Sequence, residues 1–233
     1  MHKVGLIGYG KMGRIRADAI QTDGRAEIIA LTEPSLEKVP AEFSRARIYK
    51  TPEEVIRDPG VQSLFICTPN HLNYPLTKLA LQAGKHVFCE KPPAFNAEQV
   101  EDLRTIERQS NGALKLMYGF NHRHHASILK AKEMINSGEY GRLLWMRGRY
   151  GKSVDENFYK NWRSKKKYAG GGILIDQGIH MLDLFLMFAN DFEEVQAFVS
   201  NLYWKLDVED NVFAILKNPS TGVVASLHST MTQ

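Results

Sequence analysis

The sequence predicts a two-part α/β protein, in which a parallel sheet covered by helices precedes an α+β domain with an open, mostly antiparallel sheet. Short apolar runs alternate with helical patterns through the first half of the chain, which indicates β-α-β units. The last third instead carries consecutive strand-like runs separated by turns, which indicates antiparallel pairing. We therefore place a boundary near residue 120 and predict domains 1–120 and 121–233.

The elements follow from the spacing of apolar residues. In the first domain the predicted strands are 3–7, 27–31, 63–67, 86–89 and 114–118, and the predicted helices are 11–22, 72–83 and 96–111. A further helix begins at Thr51, because Pro52 and Glu54 complete a capping signal. In the second domain we predict helices at 126–137 and 170–188, a polar loop at 151–169, and strands at 143–150, 195–203, 211–216 and 223–230.

Composition restricts the function classes. Hydrophobic residues make up 43% of the chain and charged residues 24%, the balance of a globular protein with a core. The net charge of +4 comes from scattered basic residues, so we expect no nucleic-acid partner. The only two cysteines, Cys67 and Cys89, lie in apolar runs, which favours a reducing compartment. With no signal peptide and no membrane-length apolar run, we expect a cytoplasmic protein with no membrane partner.

A glycine motif, G-x-G-x-x-G at 8–13, joins the first predicted strand to the first predicted helix. Gly8 permits the tight turn, Gly10 lets a pyrophosphate approach the backbone, and Gly13 lets the helix pack close to the strand. The helix start then offers free N–H groups to the phosphates. Glu33 ends the second strand and suits a ribose diol, and it would repel a 2′-phosphate, so NAD is favoured over NADP. The alternative is a tight turn with a surface acid.

Two more segments end strands at the same predicted sheet edge, where ligands of open α/β sheets bind. The first runs from Cys67 to His71, and His71 either contacts the cofactor or begins a helix. In the second, Lys91 could donate to a substrate hydroxyl or exchange its proton, or form a surface ion pair with Glu90. The predicted cofactor-binding residues are Gly8, Gly10, Lys11, Met12, Gly13, Glu33, Thr68, Pro69, Asn70, His71, Glu90 and Lys91.

The apolar helix that follows Gly170–Gly172 carries Asp176 and His180, which are four residues apart and share one helix face. His180 could act as acid or base while Asp176 orients it, and Asp183 could also reach His180. The alternatives are a metal site or a histidine satisfied in the core. A metal site would need a second ligand cluster, so we predict none.

Three further positions are candidates for contact with substrate. Arg123 follows a strand end within the histidine group His122, His124 and His125, which we interpret as turn histidines because no acid or cysteine stands at ligand spacing. Trp162 and Arg163 lie in the long loop and could form a substrate wall and clamp, or anchor a lid. The predicted substrate-binding residues are Arg123, Trp162, Arg163, Asp176 and His180.

Taken in order, the motifs resemble the Gfo/Idh/MocA oxidoreductases, the relatives of glucose–fructose oxidoreductase and inositol dehydrogenase. The resemblance covers nearly the whole chain and rests on G-Y-G-K-M-G, T-E-P, C-T-P-N-H, E-K-P, G-F-N-H-R and G-G-G-I-L-I-D-Q-G-I-H-M-L-D. It implies an N-terminal Rossmann domain, and an open C-terminal sheet that makes a homodimer or homotetramer. It also implies that Lys91 touches nicotinamide ribose and substrate, and that Asp176 and His180 form the D-x-x-x-H pair of the family. Lys91, Asp176 and His180 are accordingly the predicted catalytic residues.

The resemblance implies hydride transfer between NAD and a hydroxyl of a sugar, nucleotide sugar or cyclitol. Two alternatives stay open, a redox-neutral enzyme that uses NAD in the manner of certain glycosidases, and a non-catalytic nucleotide-binding protein. Family members are longer than this chain, so we expect the second domain to be incomplete. The family often has Asp where this chain has Glu33, a change that keeps the ribose contact.

Overall fold

The structure is a computed structural model that describes residues 1–35 and 40–232, apart from the side chain of Glu42. The chain divides into two compact units, Met1–Gly119 (unit 1) and Phe120–Gln233 (unit 2). Gln233, the last residue of the predicted second domain, lies outside the described residues.

Unit 1 contains a six-stranded parallel sheet, which confirms the predicted parallel sheet of a Rossmann domain. Its strands are β1 His2–Ile7, β2 Ala26–Thr32, β3 Arg47–Tyr49, β4 Ser63–Ile66, β5 His86–Cys89 and β6 Leu116–Tyr118, in the order β3-β2-β1-β4-β5-β6. Its helices are α1 Lys11–Asp23, α2 Pro52–Arg57, α3 Asn70–Gln82 and α4 Ala97–Gln109, with a 3-10 turn at Ala41–Phe43. The strand order reverses between β1 and β4, so the crevice for a ligand opens at their carboxyl ends.

Alternation along the strands buries both faces of this sheet. Val4 and Leu6 of β1 pack with Ala17 and Ile20 of α1 in one apolar cluster. Ile7, which points to the opposite face, belongs to a second cluster with side chains of α2, α3 and α4. The Thr51 capping box confirms the predicted helix start. The three-residue strand β3 was not predicted, because R-I-Y is too short to show a periodic pattern.

Unit 2 contains a mixed four-stranded sheet in the order β7-β10-β9-β8. Its strands are β7 Trp145–Gly151, β8 Glu194–Ser200, β9 Asn211–Lys217 and β10 Val224–Thr230, and its helices are α5 Ala126–Ser137, α6 Lys166–Ala169 and α7 Ile179–Ala189. Strands β8, β9 and β10 pair antiparallel, as predicted, whereas β7 pairs parallel with β10. The predicted loop 151–169 contains 3-10 turns at Glu156–Lys160 and Trp162–Ser164 as well as α6.

The predicted helix 170–188 was wrong at its start. Gly170 has a left-handed backbone, with φ +84°, and it ends α6 instead of opening a helix. A Cβ on Gly172 would lie 1.9 Å from the carbonyl oxygen of Glu209, so this glycine serves close packing. The carboxylate of Glu209 then accepts hydrogen bonds from the N–H groups of Gly172 and Leu174. The helix begins with a π-helical turn at Leu174–Gly178 and continues as α7.

This helical region is apolar by composition. Lys166–Ala189 is the single stretch of the described residues that is long and apolar enough to cross a membrane by those two criteria. Half of its apolar window is buried within the protein, and the left-handed Gly170 interrupts the helix. The stretch therefore has the character of a core helix of unit 2.

Candidate functional site

The glycine loop of unit 1 lies at the carboxyl end of β1, beside the end of β4. Gly8 has φ +90°, and a Cβ there would lie 2.6 Å from the carbonyl oxygen of Cys67. A Cβ on Gly13 would lie 2.1 Å from the carbonyl oxygen of Gly8. Both glycines are therefore required by the fold of the loop itself. Gly10 differs, because no atom of the described residues beyond its neighbours in the chain lies within 4 Å of its Cβ position, and its small size leaves open space for a ligand.

The start of α1 faces this open space. Gly10 is the N-cap, and within the part of the chain that the structure describes no side chain caps the helix. Lys11 and Met12 are the first two residues of α1, so their backbone N–H groups belong to the first turn, which has no helical acceptors. Such a helix start attracts an anion through its N–H groups and its partial positive charge.

Glu33 follows β2 and is bound to the glycine loop. Its Oε2 accepts a hydrogen bond from the backbone N–H of Tyr9 at 2.8 Å, and its Oε1 accepts from the Ser35 hydroxyl at 2.7 Å. Burial opposes ionisation, but the hydrogen bonds from Ser35 and Tyr9 and the charge of Arg14 outweigh it and lower the pKa of Glu33. The carboxylate is thus held ionised at the edge of the loop.

The segment after β4 lies partly in a helix. Pro69 is the N-cap of α3, and Asn70 and His71 occupy its first turn. His71 thus lies at a helix start, and its contact with the cofactor stays a prediction. The hydroxyl of Thr68 donates to the side-chain oxygen of Asn73 at 3.2 Å. Sequence analysis missed Asn73, a fully buried residue whose only signal was a polar side chain on the inner face of a helix.

Asn73 joins two of the predicted segments. Its side-chain N–H groups donate to the carbonyl oxygens of Glu90, at 3.1 Å, and Pro92, at 2.8 Å. The Lys91–Pro92 peptide bond is cis, a form that X–Pro bonds can adopt. Lys91 itself is half-buried.

The neighbouring carboxylate of Glu90 is buried and ion-paired with Arg16 of α1. The Glu90 Oε1 lies 2.7 Å from both Nε and a terminal nitrogen of Arg16. Only 7% of the Glu90 side chain is exposed, against 18% of the Arg16 side chain. The pair fastens the helix of the glycine loop to the segment that carries Lys91. Sequence analysis missed Arg16, because its partner is distant in the chain.

In unit 2, Asp176 lies in the π-helical turn and His180 in the first turn of α7, and both are buried. The carboxylate of Asp176 forms ion pairs with two basic side chains. Its Oδ2 lies 3.0 Å from the Lys152 Nζ, and its Oδ1 lies 3.3 Å from the Arg163 Nε. Two cationic side chains therefore bind this buried carboxylate.

Strand β7 and the residue after it line the helix by simple alternation. A Cβ on Gly148 would lie 2.8 Å from the ring of Phe185. Two residues on, the Tyr150 ring stacks on His180 with centroids 6.1 Å apart. Two residues further, Lys152 reaches Asp176. Sequence analysis missed Tyr150 and Lys152, although the period of two in a strand would have placed them on one face.

The ring of His122 lies next to His180, with centroids 4.2 Å apart, and His125 lies 5.4 Å from His122. The guanidinium of Arg123 binds Asp183 through two hydrogen bonds of 2.7 and 2.5 Å, which raise the pKa of Arg123. Asp183 is thus the partner of Arg123. Within residues 1–35 and 40–232, no group of three His, Cys, Asp or Glu side chains is arranged to hold a metal ion.

Trp162 and Arg163 lie in the second 3-10 turn of the long loop, begun by Asn161. The Arg163 guanidinium lies over the Trp162 ring at 4.3 Å, while its Nε reaches Asp176. Unit 2 therefore joins three of the predicted residues directly, Trp162, Arg163 and Asp176, and places His180 four residues after Asp176 in the same helical region. Chemically, it offers a buried imidazole for proton transfer and a carboxylate held by two cations.

Comparison with known proteins covers both units. The family model described as "Oxidoreductase family, NAD-binding Rossmann fold" matches residues 2–120, and that of the GFO/IDH/MocA C-terminal domain matches residues 128–233. The chain is 32% identical over 210 residues to levoglucosan dehydrogenase of Pseudarthrobacter phenanthrenivorans, covering 84% of this chain and 53% of that protein. It is 28% identical to D-glucoside 3-dehydrogenase of Escherichia coli, covering 89% of this chain and 59% of that protein.

Solved structures give the same result. The structure of levoglucosan dehydrogenase in complex with NADH and levoglucosan superposes with a TM-score of 0.91 at 28% identity, covering 100% of this chain and 67% of that one. The chain thus spans between half and three fifths of the length of the two curated relatives named above.

Proposed function

The chain belongs to the Gfo/Idh/MocA oxidoreductases, and from that membership we propose that it transfers a hydride between NAD and a hydroxyl of a sugar, nucleotide sugar or cyclitol. The observation that carries the proposal is the burial of His180. Its side chain is 5% exposed, and it lies in the same helical region as the ion-paired Asp176. A buried imidazole beside a fixed charge suits proton transfer to or from a hydroxyl.

The residues of unit 1 fit the cofactor. The open space at Gly10 and the uncapped start of α1 suit the pyrophosphate, with Lys11, Met12 and Gly13 supplying the first-turn N–H groups. The ionised Glu33 suits the adenosine ribose diol and opposes a 2′-phosphate, which supports NAD over NADP. Thr68, Pro69, Asn70 and His71 are further proposed contacts at the neighbouring strand end. When bound, NAD supplies the nicotinamide ring that accepts or returns the hydride.

Proton handling falls to the residues of the chain itself. We assign His180 as the base that takes the hydroxyl proton when the alcohol is oxidised, and Asp176 as the group that orients it. Lys91 is proposed to contact the reacting hydroxyl, and Glu90 holds the segment that carries it through the ion pair with Arg16. The domain roles follow, with residues 1–120 binding NAD and 121–233 binding substrate.

The substrate class rests on the named relatives. Besides levoglucosan and D-glucosides, they include a myo-inositol 2-dehydrogenase of Thermotoga maritima and a Comamonas testosteroni dehydrogenase named for a carboxylated, chlorinated cyclic diol. All four names describe ring compounds. Trp162 and Arg163 are the proposed wall and clamp of the substrate pocket in unit 2, and Arg123 is a further proposed contact.

The first test is to titrate the purified chain with NADH and NADPH, then to measure NAD⁺ reduction with sugars, nucleotide sugars and inositols. We expect tighter NADH binding and turnover on one substrate class. His180→Ala and Lys91→Ala should each lower kcat about 100-fold while cofactor binding survives. The matched control is His124→Ala, an exposed histidine of the 3-10 turn at Asn121–His124.

The outcomes separate the alternatives. Turnover of a glycoside without net NADH formation would favour the redox-neutral alternative, in which NAD returns to its starting state within each catalytic cycle, over a dehydrogenase. NADH binding without turnover on any ring compound would favour a non-catalytic nucleotide-binding protein. Full activity in both His180→Ala and Lys91→Ala would refute the residue assignment.

We also propose a homodimer or homotetramer, formed through the face of the unit 2 sheet that points away from α7. This face is apolar and exposed: Phe198 is 84% exposed and Trp145 is 68% exposed. Phe198 pairs across the strands with Phe213, and Ile215 lies two residues along β9 on the same face. An exposed apolar patch of this kind is typical of an interface, and a second copy of the chain supplies a matching face.

Sedimentation velocity tests the interface. Phe198→Glu places a charge at its most exposed aromatic position, so we expect it to shift the protein to the monomer. The control Leu129→Glu adds the same charge to a half-exposed leucine of α5, away from the sheet. A monomeric wild-type protein, or equal dissociation by both variants, would refute the proposal.

For location, we propose the cytoplasm. Both Cys67 and Cys89 are free thiols, and burial raises the pKa of Cys89 to about 12, which suits cysteines that stay reduced. Fractionation of expressing cells should recover the protein with the cytoplasmic fraction, and recovery from the medium or the envelope would overturn the assignment.

A further inference from the structure

The cation pair on Asp176 leaves unit 2 with uncompensated positive charge. Lys152 and Arg163 share this one carboxylate, at 3.0 and 3.3 Å. Among the described residues, neither cation has a second carboxylate at ion-pair distance. Two positive charges therefore meet one negative charge at this place.

The other acids of unit 2 that lie near the helix start have their own partners. Asp183 is bound by Arg123, and Glu209 accepts from the N–H groups of Gly172 and Leu174. In addition, the segment 152–167 contains six lysines and arginines and only two acids, an excess equal to the net charge of +4 of the whole chain. The surplus at Asp176 thus lies at the edge of the most basic segment of unit 2.

Both cations keep donors that Asp176 does not use. A lysine ammonium has three N–H groups and an arginine guanidinium has five. Arg163 reaches Asp176 through Nε, and Trp162 holds its plane from one face. Lys152 lies over the Phe158 ring at 4.9 Å, so its direction is also fixed. With 29% and 34% of their side chains exposed, Lys152 and Arg163 can bind a ligand through the remaining donors.

We propose that the substrate carries a carboxylate, which Lys152 and Arg163 bind beside Asp176 and His180. A single negative charge balances the surplus, and charge-assisted hydrogen bonds from a lysine and an arginine suit a carboxylate. A neutral ring alcohol would leave the desolvated charge uncompensated. This inference rests on the proposed function, because it names the substrate class of the same site.

The test compares a hexose with the hexuronate of the same stereochemistry. For the wild-type protein we expect the KM of the uronate to be about 10-fold lower. Lys152→Met keeps the aliphatic stem over Phe158 and removes the charge. It should raise the uronate KM about 10-fold more than the hexose KM, whereas any loss of Asp176 positioning should lower kcat for both sugars alike. The control Lys160→Met removes an exposed charge from the same segment and should change neither constant. Added salt should raise the uronate KM alone.

Two results would overturn the inference. One is an equal effect of Lys152→Met on both sugars, which would mean that Lys152 only orients Asp176. The other is a preference for the neutral hexose, or for a hexose phosphate over the uronate.

Calorimetric titration of the chain with each sugar separates this inference from the proposed function. Binding of the uronate but not the hexose, lost in Lys152→Met, supports the carboxylate site even if NADH does not bind and the oxidoreductase proposal fails. NADH binding without uronate binding overturns the carboxylate site and leaves the oxidoreductase proposal standing.

Discussion

The candidate site of unit 1 consists mainly of backbone groups, whereas that of unit 2 consists of side chains. Unit 1 uses the backbone: Gly8 and Gly13 shape the loop, Gly10 leaves it open, and the start of α1 supplies N–H groups. Unit 2 uses buried side chains, with Asp176 held by Lys152 and Arg163. The residues of a backbone site are adjacent in the sequence, whereas a side-chain site is assembled from distant residues that the sheet and helix bring together.

The difference has an energetic side. A loop made of glycine and free N–H groups costs little to keep in water without its ligand, because backbone donors remain solvated. A buried carboxylate needs its cations even when no ligand is present. Substitutions that weaken ligand binding in unit 1 should therefore leave its stability unchanged. In unit 2, substitutions that weaken ligand binding should also lower stability.

The largest expected effect comes from the glycine loop. Gly13→Ala places a Cβ 2.1 Å from the Gly8 carbonyl oxygen, so we expect a loss of about 3 kcal/mol in the free energy of unfolding and no NADH binding. The added Cβ of Gly10→Ala meets no atom of residues 1–35 and 40–232 within 4 Å apart from its chain neighbours, so the change should alter stability by less than about 0.5 kcal/mol. It should still raise the Kd for NADH by about 10-fold or more.

Urea unfolding and NADH fluorescence titration of the two variants check this contrast. A Gly10→Ala protein that binds NADH normally would show that the open space at Gly10 is not where the cofactor approaches. A Gly13→Ala protein as stable as the wild type would show that the loop adjusts at no cost.

At the ion pairs we expect a change in stability that is similar to or smaller than that of Gly13→Ala. Arg16→Met leaves the Glu90 carboxylate buried without its cation, which should cost about 3 kcal/mol of unfolding free energy. Arg163→Met leaves Asp176 with Lys152, and the Arg163 side chain is about a third exposed, so its loss should cost about 1 kcal/mol or less.

Chemical denaturation of both variants gives the two values. The double variant Arg16→Met with Glu90→Gln is the control, because it removes the charge that Arg16→Met leaves unpaired, and it should recover most of the loss. Equal losses in the free energy of unfolding for Arg16→Met and Arg163→Met would contradict the view that one cation is enough to compensate Asp176.

The smallest effect concerns His228 on the exposed face of the unit 2 sheet, stacked on Phe213 at 3.9 Å. Burial, Arg149 and Arg147 lower the pKa of His228 below its ordinary value of 6.5. The unfolded chain therefore takes up this proton first as pH falls, so the histidine contributes stability above about pH 6.5 that is lost below it. His228→Gln removes this dependence, and its Tm relative to the wild type should rise between pH 7.5 and pH 5.5. A constant difference in Tm across that range would contradict the assignment.

Sequence reasoning succeeded where the signal was local. The parallel sheet of unit 1, the turn at Gly8 and the capping box at Thr51 depend on neighbouring residues, and all three were predicted correctly. Asp176 and His180 were predicted as a pair because a helix places residues four apart on one face.

The residues that were missed have distant partners. Arg16 binds Glu90 across 74 residues, and Lys152 binds Asp176 across 24. Which cation meets which acid depends on strand order and on packing between sheet and helix, and neither can be derived from the spacing of one segment. The break at Gly170 was missed for a similar reason, since Glu209 lies far along the chain.

The π-helical turn at Leu174–Gly178 has an evolutionary consequence. A π turn contains one residue more than the α turn it replaces, so the central helix of unit 2 carries the equivalent of a one-codon insertion. Deleting Gln177, which lies between Asp176 and His180, would convert the π turn into an α turn and leave the two residues three apart in the chain. Residues three apart in an α-helix still share one face, so the carboxylate and the imidazole would stay on the same side of the helix. A single in-frame deletion is therefore a short route by which a descendant of this chain could regularise its central helix and change the spacing of the pair without separating it.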